Sequence, residues 1–121
     1  MITSVIGLAV DCADAAALAG FWADALGREV SGGANAELAV IEATDLAASG
    51  PRLTFHRVPE PKSVKNRLHL DLATNDLDAE VARLLALGAT RLNDLDRGEM
   101  RWTTLADPEG NEFDVVLRGS G

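Results

Sequence analysis

The chain repeats itself. Leu26-Gly27 returns 61 residues later as Leu87-Gly88, and Ile6-Gly7-Leu8 returns 62 residues later as Leu68-His69-Leu70. Thr54-Phe55-His56 returns 58 residues later as Glu112-Phe113-Asp114. A repeat of this length in a chain of 121 residues leaves room for two copies of one supersecondary unit and little else. Each copy holds one helical pattern. Between Ala15 and Leu26 the apolar residues Leu18, Phe21, Trp22, Ala25 and Leu26 fall on one stripe, and the spacing of Phe21-Trp22 makes the pair core. Asp11 or Asp14 can cap the start, and Gly27 can take the left-handed conformation that ends it. The second helix runs from about Leu77 to Leu87 on the stripe Leu77, Val81, Leu84 and Leu85, with Asn75 or Asp76 as cap and Gly88 as terminator.

A strand-like segment precedes each helix, Ser4–Val10 in the first copy and Arg67–Leu72 in the second. Short extended segments follow each, at Glu37–Ile41 and Arg52–Val58, then at Thr90–Leu92, Met100–Leu105 and Glu112–Leu117. Glycine, proline and Asp/Asn clusters separate them at Ser31–Asn35, Ser49–Pro51, Asn93–Gly98 and Asp107–Asn111. The expected unit is a strand, a helix and three strands, used twice as repeat 1 (about 1–62) and repeat 2 (about 63–121) of a single domain. One unit alone leaves a sheet edge and a sheet face uncovered, so pairing of the copies is physically expected.

Composition narrows the function. Hydrophobic residues at 47% and charged residues at 25% are the ordinary globular mix. Lys+Arg 11 against Asp+Glu 19 gives a net charge of −8, which repels nucleic acid and anionic membrane surfaces and attracts a cationic ligand. The one cysteine, Cys12, excludes an intramolecular disulfide and a cysteine-based zinc site. It stands at a strand-to-helix turn with no histidine near it in sequence, and reads as a small buried residue rather than a nucleophile. No apolar run approaches the roughly 20 residues of a membrane span, and the first residues lack the basic region of a signal peptide, so a cytoplasmic protein is expected. Three Phe, two Trp and no Tyr supply a stacking site poorly. Walker-type, GxSxG and HExxH motifs are absent, and Gly32-Gly33 reads as a turn.

The strings Asp11-Cys12-Ala13-Asp14, Phe21-Trp22 with Leu26-Gly27, and Val58-Pro59-Glu60-Pro61-Lys62 resemble the vicinal oxygen chelate superfamily. So do Arg67-Leu68-His69-Leu70-Asp71, Leu87-Gly88-Ala89 and Asp107-Pro108-Glu109-Gly110-Asn111-Glu112-Phe113 in the second half. That superfamily includes glyoxalase I, extradiol dioxygenases, fosfomycin-resistance proteins and bleomycin-binding proteins, and the likeness is closest to its small glyoxalase-like bacterial members. It covers nearly the whole chain. The implied fold is α+β, two βαβββ repeats whose mixed sheets curl round a cleft with helices outside. The resemblance also implies four metal positions on the first and last strands of each repeat, here Gly7, His56, His69 and Asp114. Gly7 departs from the usual ligand there, and Asp114 stands for the commoner Glu.

His56 and His69 are the only histidines, and both fall on these positions with Asp114 as a carboxylate third. Two imidazoles and a carboxylate suit one divalent ion, Fe, Mn, Zn or Ni, and Gly7 would leave room for water or substrate. The plainer reading makes His69 a hydrogen-bonded cleft residue and points His56 outward after a one-residue register slip. Asp71 and Glu112 share strand faces with His69 and Asp114, as candidate general bases whose crowding would raise a pKa, or as a polar wall paired to arginine. Arg52, Arg57, Lys62, Lys65 and Arg67 form a basic stretch, either an anion-binding mouth, with Arg57 on the substrate, or a solvated linker. Met100 and Trp102 alternate on one strand and floor a ligand site or pack beneath the second helix.

Two functions compete. The first is a metal-dependent lyase, isomerase or dioxygenase acting on vicinal oxygens of a small molecule, with Glu112 or Asp71 moving protons. The second is a metal-free protein that binds a small cationic drug through Asp71, Glu112 and Asp114. A regulatory module without chemistry is a third. In each case a homodimer is the expected assembly.

Overall fold

Asp14 and Asp76, one in each half, cap the two helices in the same way. The Asp14 carboxylate accepts the Ala17 N–H at 3.2 Å, and Asp76 accepts the Ala79 N–H at 3.2 Å. At each start the second of the two possible caps is used, because Asp11 is taken up by a strand and Asn75 lies one residue early. At the far ends Gly27 sits at φ 65° and Gly88 at φ 124°, where a β-carbon would be strained.

The computed structural model describes residues 3–43 and 50–118. Contacts divide the chain into two compact units, meeting at Pro61 and Lys62. The first holds β1 (Gly7–Cys12), α1 (Ala15–Leu26), β2 (Leu38–Ile41) and β3 (Arg52–Arg57). The second holds β4 (Asp71–Thr74), α2 (Leu77–Leu87), β5 (Thr90–Arg97), β6 (Met100–Ala106) and β7 (Glu112–Leu117). The strand orders are β1-β3-β2 and β4-β7-β6-β5. In each unit the strand before the helix pairs in parallel with the last strand, and the other pairings are antiparallel. The class is therefore α+β, with two small mixed sheets and two helices.

Each helix packs on one face of its own sheet. α1 buries Leu18, Phe21, Trp22 and Ala25 against Ala39, Ile41, Leu53 and Phe55. Its Phe21 and Trp22 rings meet edge to face at 5.2 Å and 88°. α2 buries Leu77, Val81 and Leu84 against Leu105, Phe113 and Val115. Phe55 and Phe113 are the largest fully buried side chains among the described residues. Along β3 and β7 the buried residues alternate with polar ones, so each sheet keeps a second face opposite its helix.

Several expected boundaries move. β1 is Gly7–Cys12 rather than Ser4–Val10, with Val5 and Ile6 exposed, and β4 is Asp71–Thr74 rather than Arg67–Leu72. Each strand begins where its pairing to the parallel partner begins, Gly7 opposite Arg52 and Asp71 opposite Asp114, which a single-strand pattern does not carry. β5 continues through the expected break at Asn93 to Arg97, and the turn to β6 is two residues long with Gly98 at φ 74°. In the first unit two strands follow the helix among the described residues. The place of β5 is taken by Ser31, whose N–H makes one bond to the Val40 carbonyl at 2.8 Å before Gly32-Gly33 turns the chain. Ser49 of the expected Ser49–Pro51 turn lies outside the described residues. Cys12 is buried, and its Sγ–H donates to the His56 carbonyl at 3.4 Å. Among the described residues no helix is long and apolar enough to cross a membrane.

Phe55→Ala and Phe113→Ala each remove a fully buried aromatic from a separate core. Each is expected to lower unfolding free energy by about 3–5 kcal/mol, as read by urea denaturation.

Candidate metal centre

β7 lies between β4 and β6, and its alternation sends Phe113 and Val115 to the core and Glu112, Asp114 and Val116 to the opposite face. The register sets Asp114 beside Asp71 on β4 and beside Thr104 on β6. Thr104 donates its hydroxyl to Asp114 Oδ1 at 2.6 Å. His69 stands two residues ahead of β4, not on it, and its ring meets the same two carboxylates. His69 Nδ1 is 3.0 Å from Asp71 Oδ1 and 3.7 Å from Asp114 Oδ2.

One donor atom from each of His69, Asp71 and Asp114 lies within 4.8 Å of the others. An ion bound at about 2.1 Å by nitrogen and oxygen sets neighbouring ligand atoms about 3.0–3.4 Å apart. The two nitrogen–oxygen separations bracket that range. The donor set of one imidazole and two carboxylates suits Mn(II), Fe(II), Zn(II) or Ni(II). Asp114 is the sheltered member with 18% of its side chain exposed, while His69 and Asp71 are open at 40% and 60%. Two carboxylates side by side repel, and either a protonated imidazole or a cation between them offsets that repulsion.

Glu112, on the same face two residues earlier, is committed elsewhere. Its Oε1 accepts the Asn66 N–H at 3.0 Å, and Lys62 Nζ lies 3.2 Å away. The expected rise in pKa does not occur at this residue. The Asn66 N–H first of all, with Lys62 adding to it, holds the carboxyl down at about 2 against burial, which acts the other way. Its contribution to stability is complete above the unfolded value of 4.5 and is lost as pH falls toward 2.

The other expected residues are spread over both units. Met100 and Trp102 lie on the Asp114 face of β6, Trp102 opposite Val116, rather than on the face under α2. Arg57 ends β3 in the first unit, exposed, and Arg52, at the other end of that strand, pairs with Glu42 at 2.8 Å. His56, also exposed, faces away from α1 on β3, opposite Asp11. Its place in the repeat shifts with the pairing register. Asp14 and Asp76 match at an offset of 62, which lays Ala9 on Asp71. Ala9 pairs with Thr54, and Asp71 pairs with Asp114, so Thr54 rather than His56 corresponds to Asp114. At Gly7 a β-carbon would sit 2.9 Å from the Arg52 carbonyl oxygen, so the position is closed to a side chain without a shift of backbone.

Thr104 and Asn66 escaped the sequence reading, and Lys62 entered it as part of the basic stretch, with no link to Glu112. Alternation alone puts Thr104 on a face with Trp102, but its pairing to Asp114 depends on the β6–β7 register. A concavity elsewhere in the same unit, about 210 Å³ and lined by Leu77, Arg91, Asp94, Trp102 and Thr103 among others, has its main charges already joined. Arg91 pairs with Asp94 at 2.9 Å, and Thr103 donates to Asp94 at 2.7 Å.

A family model described as the glyoxalase-like domain matches residues 7–116. Curated proteins give no match. Among solved structures, a glyoxalase/bleomycin resistance protein/dioxygenase family enzyme from Burkholderia phytofirmans is similar with a TM-score of 0.75 at 15% identity. That likeness covers 95% of this chain and 98% of the other. A variant of the fosfomycin resistance protein FosX from Listeria monocytogenes, complexed with Mn(II) and 1S,2S-dihydroxypropylphosphonic acid, gives 0.72 at 15%, over 96% and 90%. Lactoylglutathione lyase from Agrobacterium tumefaciens gives 0.65 at 15%, over 97% and 95%. At such identity the likeness is one of fold.

Glu112→Gln is expected to flatten the acid side of the stability profile. Thermal unfolding at pH 5 and pH 3 should show a smaller loss in the variant than in the parent protein.

Proposed function

Because the chain belongs to the glyoxalase-like domain family, we propose that it holds one divalent transition-metal ion between His69, Asp71 and Asp114 and acts on a small molecule bearing two neighbouring oxygens. The observation that carries this reading is the grouping of three donor atoms within 4.8 Å on one open sheet face. The FosX structure, with Mn(II) and a vicinal diol, supports the chemistry as that of a neighbour in fold. When bound, the ion supplies Lewis acidity to a chelating pair of substrate oxygens.

The protein's own groups divide the remaining work. Thr104 fixes the rotamer of Asp114 through its 2.6 Å hydrogen bond and leaves Oδ2 turned toward His69. Asp71 is the more exposed of the two carboxylates and has a second oxygen to take a proton from substrate. Glu112, ionised and bonded to Asn66 and Lys62, is the weaker candidate for that transfer. Trp102 and Met100, further along β6 on the same face, offer apolar surface to the rest of the ligand. Two copies of the chain are proposed to assemble as a dimer, which size-exclusion chromatography with light scattering reads as twice the monomer mass.

Elemental analysis and titration calorimetry with Mn(II), Ni(II), Zn(II) and anaerobic Fe(II) test the metal. One equivalent is expected. His69→Ala and Asp114→Ala should each weaken binding by at least about 100-fold, beyond the cost of losing an outer partner. His56→Ala, in the first unit, separates the second unit's donor set from the wider one that includes His56. A protein that takes up none of these ions sinks the reading. The net charge of −8 and the paired aspartates would then favour a cationic ligand, whose affinity falls with added salt.

A further inference from the structure

His69 is not carried by a strand. It lies in the segment 62–70 that leads from the unit boundary to β4, and that segment is tied to β7 on both sides of it. After His69, the Leu70 carbonyl accepts the Asp114 N–H at 2.9 Å. Before it, Asn66 is bonded twice to one residue. Its N–H donates to Glu112 Oε1 at 3.0 Å, and its Nδ2 donates to the Glu112 carbonyl at 3.2 Å. Lys62 Nζ adds a salt bridge to Glu112 Oε1 at 3.2 Å and also donates to the Val64 carbonyl, folding the start of the segment onto itself. Glu112 and Asp114 therefore hold the two ends of a span of five residues, with the imidazole inside it.

We propose that Glu112 is a positioning residue for the metal centre, clamping residues 62–66 so that His69 is delivered to Asp71 and Asp114. The proposal rests on the metal reading above and adds to it a role for a carboxylate that does not touch the ion. The reasoning is one of entropy and geometry. A chain segment outside a sheet loses conformational freedom at every residue when it is ordered, and something must compensate before the ligand arrives. The Leu70 bond is a main-chain bond of the ladder and fixes one end alone. A short span held at one end samples many ring positions, whereas one held at both ends keeps Nδ1 near the two carboxylates. The clamp is also chemically matched. A side-chain carboxylate reaches back along the sheet to a main-chain N–H that has no strand partner, and a charge-assisted bond is stronger than a neutral one.

The clamp and the metal can be read separately. Glu112→Ala removes the acceptor for the Asn66 N–H, while Glu112→Gln keeps an oxygen in its place and loses only the charge facing Lys62. Amide hydrogen exchange of the metal-free protein is the first readout. At Asn66 through His69 exchange is expected to quicken at least about tenfold in Glu112→Ala and to return most of the way in Glu112→Gln, with β5 and α2 unchanged. Wild-type exchange across that segment in folded Glu112→Ala overturns the proposal whether or not the protein binds metal. Calorimetry with Mn(II) is the second readout. Affinity is expected to fall about 10–100-fold in Glu112→Ala and to be largely rescued in Glu112→Gln. Equal affinity in the parent and Glu112→Ala overturns the positioning role while leaving the metal reading intact. Failure of the parent protein to bind Mn(II), with a clamp that still shows in exchange, counts against the metal reading and not against the clamp.

Discussion

Parallel pairing of the first strand of each unit with its last is the constraint from which the rest follows. Two parallel strands cannot be joined by a tight turn, so the chain must cross over. α1 and α2 are the first leg of that crossover and lie on one face of their sheets. Burial of Phe55, Phe113, Val115 and Leu105 against the helices then fixes which residues face the other way. Asp71, Asp114 and Thr104 become neighbours as a consequence, since the register that buries Phe113 leaves no other face for Asp114.

The same pairing explains what could be read in the sequence. Both helices were legible to their ends, Ala15–Leu26 and Leu77–Leu87, because a helix satisfies its hydrogen bonds within itself and marks its ends with Asp and Gly. The starts of β1 and β4 were not, because these two strands begin where β3 and β7 can pair with them, whereas those of β3, β5, β6 and β7 were. Asp94 and Asp96 look like loop residues, yet sit in β5, at the edge of its sheet, where charged side chains are tolerated and discourage further strand addition. In the site, period-two alternation grouped Trp102 with Met100 and Asp71 with His69, but left open which face Trp102 and Met100 take, and His69 proves to lie ahead of its strand. Alternation could not show that Glu112 is engaged, since its partners Lys62 and Asn66 come from a segment with no pattern of its own.

Around the three donors the charges are arranged in tiers. Asp114, the sheltered carboxylate of the donor group, takes a hydroxyl bond from Thr104. Glu112 is balanced by Lys62 and a main-chain N–H. Asp71 and the His69 ring are the exposed members, and their 3.0 Å contact needs a proton or a cation between them. The sheltered carboxylates, Asp114 and Glu112, thus each have a hydrogen-bond donor within the protein, and the more open groups, Asp71 and His69, lie at the solvent edge.

The two units divide this chemistry unequally, and the register says why. At the positions matching His69, Asp71 and Asp114 the first unit carries Gly7, Ala9 and Thr54, none of them a carboxylate or an imidazole. The Arg52 carbonyl, 2.9 Å from where a β-carbon of Gly7 would stand, keeps the first of these positions small. The first unit has its own histidine and aspartate opposite each other, His56 and Asp11, but two residues further along the strands. A shift of two residues preserves the face and moves the pair about 6.6 Å along the strand, far enough to take them out of any donor set matched position by position to the second unit. Both sheets thus keep an open face, and the side chains along the strands decide that only the second unit groups an imidazole with two carboxylates at these positions.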